Sequence, residues 1–412
     1  MQALIARWLA PLAACGAVLI GCCGSALAAT GSASWPAAAS RGVQELMGSG
    51  DGSPVSWDTA TGLWGGNTAP YWWQSGLAVL TVARYAVRTH DVNPTVQRVL
   101  LRTYGQNVRR PGTSQPQNFG NRFMDDTGWW GLAWLAASQY ELTYRHDQVD
   151  AARFLSVAEW DASYIARQPR PCGGVEWGVG YGPDTISNAE LVVLTAELAQ
   201  YRQAAGPFQD GGRASKWLAE ANRTWGWLRT SGLVDLRSGE VVADSMSPQS
   251  CQRRGGPVTY TQGEVAQGLV QLGLAAHDSS YYDRAAAFLR YAVQPASGFV
   301  LRGVLQDHCE PQSPNCSALS TRLDVTAFKG LLVQAFDDWT RVTKRSDFSR
   351  FLRAQATAIT GHDIWGATPR APGCGSPHAC QFGFSWARVL SPMLVTVGTQ
   401  ESALDALTAV LP

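Results

Sequence analysis

The sequence predicts an all-α (α/α)6 toroid, six inner helices ringed by six outer ones, and three observations carry that reading. Apolar segments rich in Ala, Leu and Val recur six times at a spacing of roughly 55 to 75 residues, longer than one helical hairpin needs. Each opens on a polar cluster behind a loop-like lead, and between consecutive segments lies a stretch with one apolar stripe and a charged face. Helices apolar nearly all round belong inside and striped ones outside, so the alternation reads as two concentric shells.

The inner segments begin near Tyr71, Asp125, Ser187, Thr261, Asp324 and Phe384. The outer ones run from Pro36 to Met47, Pro94 to Gln106, Gln148 to Arg167, Ala214 to Arg229, Tyr281 to Val293 and Ser346 to Thr360. In the third of these, Val149, Ala152, Phe154, Leu155, Ala158 and Tyr164 keep helical rather than alternating period. Strand signals are few: Leu233 to Val242 and Phe299 to Leu305 are expected as short hairpin pieces on a rim. The long loops are rich in Gly, Pro and Trp and run from Asp51 to Pro70, Asn107 to Arg122, Pro169 to Ile186, Ser245 to Tyr260 and Asp363 to Gln381. They are expected to meet where the inner helices start, which makes that end the natural cleft.

A chain of 412 residues, 45% hydrophobic, suffices for a sizeable core. No shift in composition divides it, so residues 29–412 read as one domain. Residues 1–28 read as an export signal, with Arg7, an apolar run and the small-x-small site Ala26-Leu27-Ala28. A lipobox at Leu19-Ile20-Gly21-Cys22, anchoring the protein through Cys22, is the competing reading.

Cysteine parity favours the soluble secreted or periplasmic product. Cleavage after Ala28 removes Cys15, Cys22 and Cys23 and leaves Cys172, Cys251, Cys309, Cys316, Cys374 and Cys380, an even set for disulfides in an oxidising compartment. The short spacings pair Cys309 with Cys316 and Cys374 with Cys380, which leaves Cys172 with Cys251. His308 and His378 raise zinc as a rival, but the spacings are not the Cys-x-x-Cys hooks of structural zinc, so neither metal nor cofactor is expected.

With 33 Lys and Arg against 32 Asp and Glu, the formal charge of +1 gives no field to attract a nucleic acid. The 17 Trp residues often fall beside Gly, Asn or Gln, where flat rings next to amides suit the C–H faces and hydroxyl edges of sugars. Trp64, Asn67, Trp73, Trp129, Trp130 and Trp177 are the candidates for sugar contacts. Only Arg109-Arg110 and Arg253-Arg254 are basic doublets in long loops, too few for a site that handles acidic sugars.

Asp125-Asp126 opens an inner segment in the run FMDDTGWW, two carboxylates and two indoles in a single turn. The helix dipole explains one acid at that place and is a weaker account of both. A glycosidase needs one carboxyl to protonate the leaving oxygen and another to attack the anomeric carbon or activate water. Adjacent side chains at a helix start can set their oxygens about 5 Å apart, the separation of a retaining enzyme. A second pair, Asp337-Asp338, falls late in its segment and reads as a solvated face. Glu176, beside Trp177, reads as a satisfied loop carboxylate. The glycines at 178, 180 and 182 match a dinucleotide fingerprint in spacing only, with no strand before them. At the other inner starts stand Asn188, Tyr260 with Gln262, Asp324 with Lys329, and Ser385 with Trp386, whose recurrence at one structural position suggests partners for sugar hydroxyls. No Ser, His and Asp combination stands out.

The run MDDTGWWGLAWLAA is similar to the paired-Asp signature of glycoside hydrolase family 76, the endo-α-1,6-mannanase family. Ile186-Ser187-Asn188-Ala189 resembles that family's Thr-Asn-Ala segment, Tyr260-Thr261-Gln262-Gly263 its Tyr-Asn-Gln-Gly, and Phe328-Lys329-Gly330 its Phe-Lys-Gly, in the family's order. Ser187 and Thr261 depart from the pattern, which bears on subsite specificity more than on reaction class. The resemblance implies an (α/α)6 barrel and retaining hydrolysis within an α-mannan backbone, with Asp125 as nucleophile and Asp126 as acid/base. It needs no cofactor or obligatory protein partner, so the chain is expected to be a monomer. The alternatives are action on another polysaccharide, transfer in place of hydrolysis, and glycan binding without catalysis.

Overall fold

The computed structural model describes residues 34–48, 53–65, 71–109, 117–307, 310, 323–364, 380–388 and 393–412. Among them are twelve α-helices: α1 (Trp35–Met47), α2 (Tyr71–Thr89), α3 (Pro94–Asn107), α4 (Met124–Tyr140), α5 (Gln148–Ala166), α6 (Thr185–Gln203), α7 (Gly211–Leu228), α8 (Thr259–Ala276), α9 (Ser280–Ala292), α10 (Phe328–Thr343), α11 (Ser349–His362) and α12 (Val397–Thr408). The even-numbered helices form a closed ring, each packed on the next and α12 returning to α2. The others lie outside, α5 on α4, α7 on α6, α9 on α8 and α1 on α12. This is the (α/α)6 toroid.

Burial separates the two shells as the apolar pattern does. In α4, 14 of 17 residues are buried, whereas α7 buries one stripe, Ala214, Trp217, Ala221, Thr224, Trp225 and Leu228. Side-chain caps start several helices: Asp147 accepts from the Val149 and Asp150 amides, and Asp184 from Ser187. Two glycines of the sequence motifs are explained by the ring itself. A Cβ on Gly263 would stand 2.6 Å from the Cα of Leu332, and one on Gly330 2.6 Å from the Cα of Ser402, so these positions set how closely α8, α10 and α12 approach.

The sixth inner helix differs from its expected start. The run from Phe384 is not helical where it is described, and α12 begins at Val397, with Thr396 as its N-cap. Pro392 lies inside the apolar run and denies a helix there its N–H. Among the described residues, four two-stranded antiparallel hairpins decorate the rim: β1 (Trp57–Asp58) with β2 (Leu63–Trp64), β3 (Val234–Asp235) with β4 (Glu240–Val241), β5 (Ser245–Met246) with β6 (Arg253–Arg254), and β7 (Val300–Leu301) with β8 (Val304–Leu305). The second and fourth fall in the two expected stretches.

Asp337-Asp338 is not a solvated face. Both are half-buried at the far end of the ring, where Arg88 pairs with Asp337 and Arg84 with Asp338, and Gln267 and Gln271 donate to Asp338 Oδ2 at 3.0 and 3.1 Å. Basic residues of the inner helix α2, reaching across the far end of the ring, compensate what the dipole disfavours. Cys172 is bonded to Cys251, and Cys380 is disulfide-bonded. Cys309, Cys316, Cys374 and Asn67 lie outside the described residues. Among the described residues no helix is long and apolar enough to cross a membrane.

Candidate active site

The inner helices all present their N-termini to one end of the ring, and there a cavity of about 640 Å³ opens. Second and third helical positions face it: Trp73 from α2, Asp125 and Asp126 from α4, Tyr260 from α8. Asp184, the cap of α6, and Asp324, just ahead of α10, add carboxylates, and Asp244 beside β5 brings a fifth. The positive ends of the helix dipoles converge here, which favours such a concentration of acids.

Asp125 and Asp126 are partly open to the cavity but stripped of most solvent, and their surroundings treat them differently. The Trp177 indole N–H and the Asp126 backbone N–H, at 2.9 Å, both donate to Asp125. Burial still pushes Asp125 up to about 6, against those donors and with the Asp244 charge adding to the rise. Asp126 is held well above the usual carboxylate range, first by burial and then by the charge of Asp125, with only the Asn121 amide opposing. Asn121 is fixed in turn, donating its backbone N–H to Thr127 Oγ1 at 3.1 Å and accepting from Tyr164 at 3.2 Å. Of the two, Asp125 is the readier to ionise and Asp126 the more disposed to keep its proton.

Two aromatic clusters flank the acids. Tyr260 stacks on Phe328 at 3.9 Å, with Trp73 next to them donating to Asp324 at 3.3 Å. Trp177 packs on Phe123 at 4.7 Å and meets Tyr181 edge-on at 5.1 Å, and Trp129 lines the cavity beside the acids. The remaining lining comes from the β5–β6 hairpin, including Met246 and the exposed guanidinium of Arg254. Cys172–Cys251 ties that hairpin to the loop carrying Trp177 and Tyr181.

Of the residues singled out from sequence, the cavity gathers Asp125, Asp126, Trp73, Trp129, Trp177, Tyr260 and Asp324. Five others lie elsewhere. Trp64 is buried at the foot of β2, its indole donating to the Leu46 carbonyl at 2.7 Å. Trp130 is buried among Trp72, Phe119 and Trp134. Asn188 clamps the loop above α6, accepting from the Val175 amide and donating to the Val175 carbonyl, both at 2.9 Å. Gln262 accepts from Val241 N–H at 2.9 Å and donates to the Gly239 carbonyl at 2.7 Å, holding the β3–β4 hairpin. Lys329 is fully buried, paired with Glu310 and bound to the Phe384 carbonyl, with Trp386, also buried, beneath its ammonium.

The recurrence that suggested hydroxyl partners has a structural cause. Asn188 and Gln262 are the fourth residues of α6 and α8, and at the same place in α12 Gln400 accepts from Phe382 N–H at 3.0 Å and donates to the Cys380 carbonyl at 2.9 Å. Polar side chains at that position hold loop backbone, whose buried amide groups need partners. Glu176 is likewise structural, accepting from Gly180 N–H at 3.0 Å. Asp184, Asp244, Tyr181 and Met246 went unrecognised in the sequence, and Phe123 and Phe328 were noted only as members of the FMDDTGWW and Phe-Lys-Gly runs; of the first four, Asp184, before the start of α6, carried the signal of a helix cap. Among the described residues no group of three or more His, Cys, Asp or Glu side chains is arranged to hold a metal ion.

The model of glycosyl hydrolase family 76 matches residues 34–411. Mannan endo-1,6-α-mannosidase DCW1 of Candida glabrata is 23% identical over 350 residues, which cover 82% of this chain and 71% of that protein. The DCW1 of Saccharomyces cerevisiae is 22% identical over 349 residues, with the same two coverages. Among solved structures, the α-1,6-mannanase GH76A of Salegentibacter sp. superposes with a TM-score of 0.69 at 20% identity, over 92% of this chain and 99% of that one. That structure is a variant inactivated by changing two adjacent Asp residues to Asn, in complex with α-1,6-mannotriose. Dfg5 of Chaetomium thermophilum, in complex with glucosamine, superposes with a TM-score of 0.69 at 21% identity, over 92% and 90% of the two chains.

Proposed function

The chain belongs to glycosyl hydrolase family 76, and from that premise we propose that it cleaves α-1,6-mannosidic bonds within mannan by a retaining double displacement on Asp125 and Asp126. The observation that carries this reading is the asymmetry within the pair at the mouth of the ring: Asp125 accepts from Trp177 and backbone N–H groups, which favour its anion, while burial and the charge of Asp125 favour the protonated form of Asp126. In the first step an Asp125 oxygen bonds to the anomeric carbon as the glycosidic C–O bond breaks, and the Asp126 proton passes to the leaving oxygen. In the second, Asp126 takes a proton from water, the water oxygen bonds to the anomeric carbon, and the ester to Asp125 breaks. The product keeps the α configuration.

Two further observations support the reading. Among the described residues, five carboxyl groups line the cavity against the guanidinium of Arg254, a lining that offers an acidic polysaccharide little positive charge and suits a neutral glycan. In the Salegentibacter mannanase, replacing two adjacent Asp residues gives a protein named as inactive that still carries α-1,6-mannotriose. The chain is read as acting as a monomer. The Cys172–Cys251 bond suits an oxidising compartment outside the cytosol, with residues 1–28 as the export signal.

The test is product analysis of residues 29–412 on unbranched α-1,6-mannan, by chromatography and proton NMR, beside Asp125→Asn and Asp126→Asn. Short α-configured oligosaccharides from the parent, with at least a thousandfold loss in each variant, are expected; β-configured products would overturn the retaining step, and an inert parent the substrate.

A further inference from the structure

Between Trp177 and Pro183 the chain turns back on itself at the mouth of the cavity. Tyr181 N–H donates to the Gly178 carbonyl at 2.8 Å, and Trp177 N–H to the Gly182 carbonyl at 3.0 Å. The turn is built rather than loose. Buried Glu176 holds Gly180 N–H from below, Gly180 adopts a φ of 84°, and any side chain on Gly182 would run into the Met246 carbonyl of the facing hairpin.

On this fixed turn stand two large apolar side chains open to solvent, Tyr181 at 46% exposure and Val179 at 71%. Tyr181 also lines the cavity, its ring edge-on to Trp177, and Trp177 hydrogen-bonds Asp125. A row of rings therefore leads from the reacting carboxylate out to bulk water. We propose that Tyr181 is a distal sugar platform: a pyranose of the bound glycan beyond the cleaved residue stacks on its ring. The occupant is the same neutral glycan, because the platform is continuous with the cavity and a chain leaving past Trp177 crosses it. A protein partner fits poorly, since two side chains offer far less than the roughly 1,000 Å² of a stable interface.

The inference rests on the mannanase reading only for the identity of the sugar. Its test compares kcat/KM on α-1,6-mannose oligosaccharides of increasing length for the parent, Tyr181→Ala and Tyr181→Phe. The gain in kcat/KM from the shortest cleaved oligosaccharide to the longest is expected to shrink about tenfold in Tyr181→Ala and to return in Tyr181→Phe, since stacking needs the ring and not the hydroxyl. An equal loss at every length, or none, overturns the platform. If the parent cleaves no mannan, the substrate reading has failed, and affinity electrophoresis in gels of several neutral polysaccharides tests the platform by itself. There, retardation of the parent that Tyr181→Ala loses and Tyr181→Phe keeps is expected. Equal retardation of all three, or none of the parent, overturns it.

Discussion

In the proposed mechanism the two acids take different roles because their neighbours differ, and one neighbour can be removed without touching either carboxyl. Trp177 donates its indole N–H to Asp125 and so favours the anion. A phenyl ring keeps the packing on Phe123 but offers no donor, so Trp177→Phe raises the Asp125 pKa above its present value of about 6. Activity needs this group ionised, so the acid limb of the kcat/KM profile is expected to move to higher pH, by about half a unit to one unit. A profile that falls uniformly without moving would show that Trp177 acts through substrate contact alone. The pair was legible in the sequence because two acids and two indoles in one turn exceed what a helix start needs. Asp244 was not legible. It sits in an irregular segment beside β5 with no periodicity to mark it, and only the tertiary fold brings it within electrostatic reach of Asp125.

At the scale of elements, the periodic helices were readable because buried and half-buried shells impose different apolar patterns. The outer helices fall close to their expected bounds, and α10 begins four residues after Asp324. Loop organisation was harder, because Asn188, Gln262 and Lys329 carry the donors and acceptors of sugar ligands while binding backbone carbonyls and amides. Sequence shows which groups can hydrogen-bond but not where they point. The Cys172–Cys251 bond joins two loops that pack against each other in the cavity wall, one carrying Trp177 and Tyr181, the other Met246 and Arg254. Opening it removes a constraint worth about 4 kcal/mol in the unfolded chain. Cys251→Ser is therefore expected to lower the melting temperature and, because this part of the cavity wall loosens, to raise KM severalfold more than it lowers kcat. An unchanged KM would confine the bond to stability.

Taken whole, the ring encloses many carboxyl groups far from water. Burial lifts Glu264 to about 8 and Asp307 and Glu141 to about 7, with neighbouring charges as smaller contributions. In the unfolded chain such groups lose their protons near pH 4. Between about pH 4.5 and 8 the folded form therefore holds more protons than the unfolded one, so stability falls as pH rises through that window. Calorimetry is expected to find a melting temperature several degrees lower at pH 8 than at pH 5; a rise would mean that ion pairs such as Arg84–Asp338 outweigh burial.

The fourth residues of α6, α8 and α12 read the peptide groups of the loops above them, not their side chains. Any replacement that returns one N–H and one C=O to the same place meets the same anchor. The rim is in this sense modular. Segments such as 176–183, with Trp177 and Gly182 kept, could be exchanged as cassettes between related barrels, and a library varying the rest would search substrate preference while the anchoring amides and the ring stay constant.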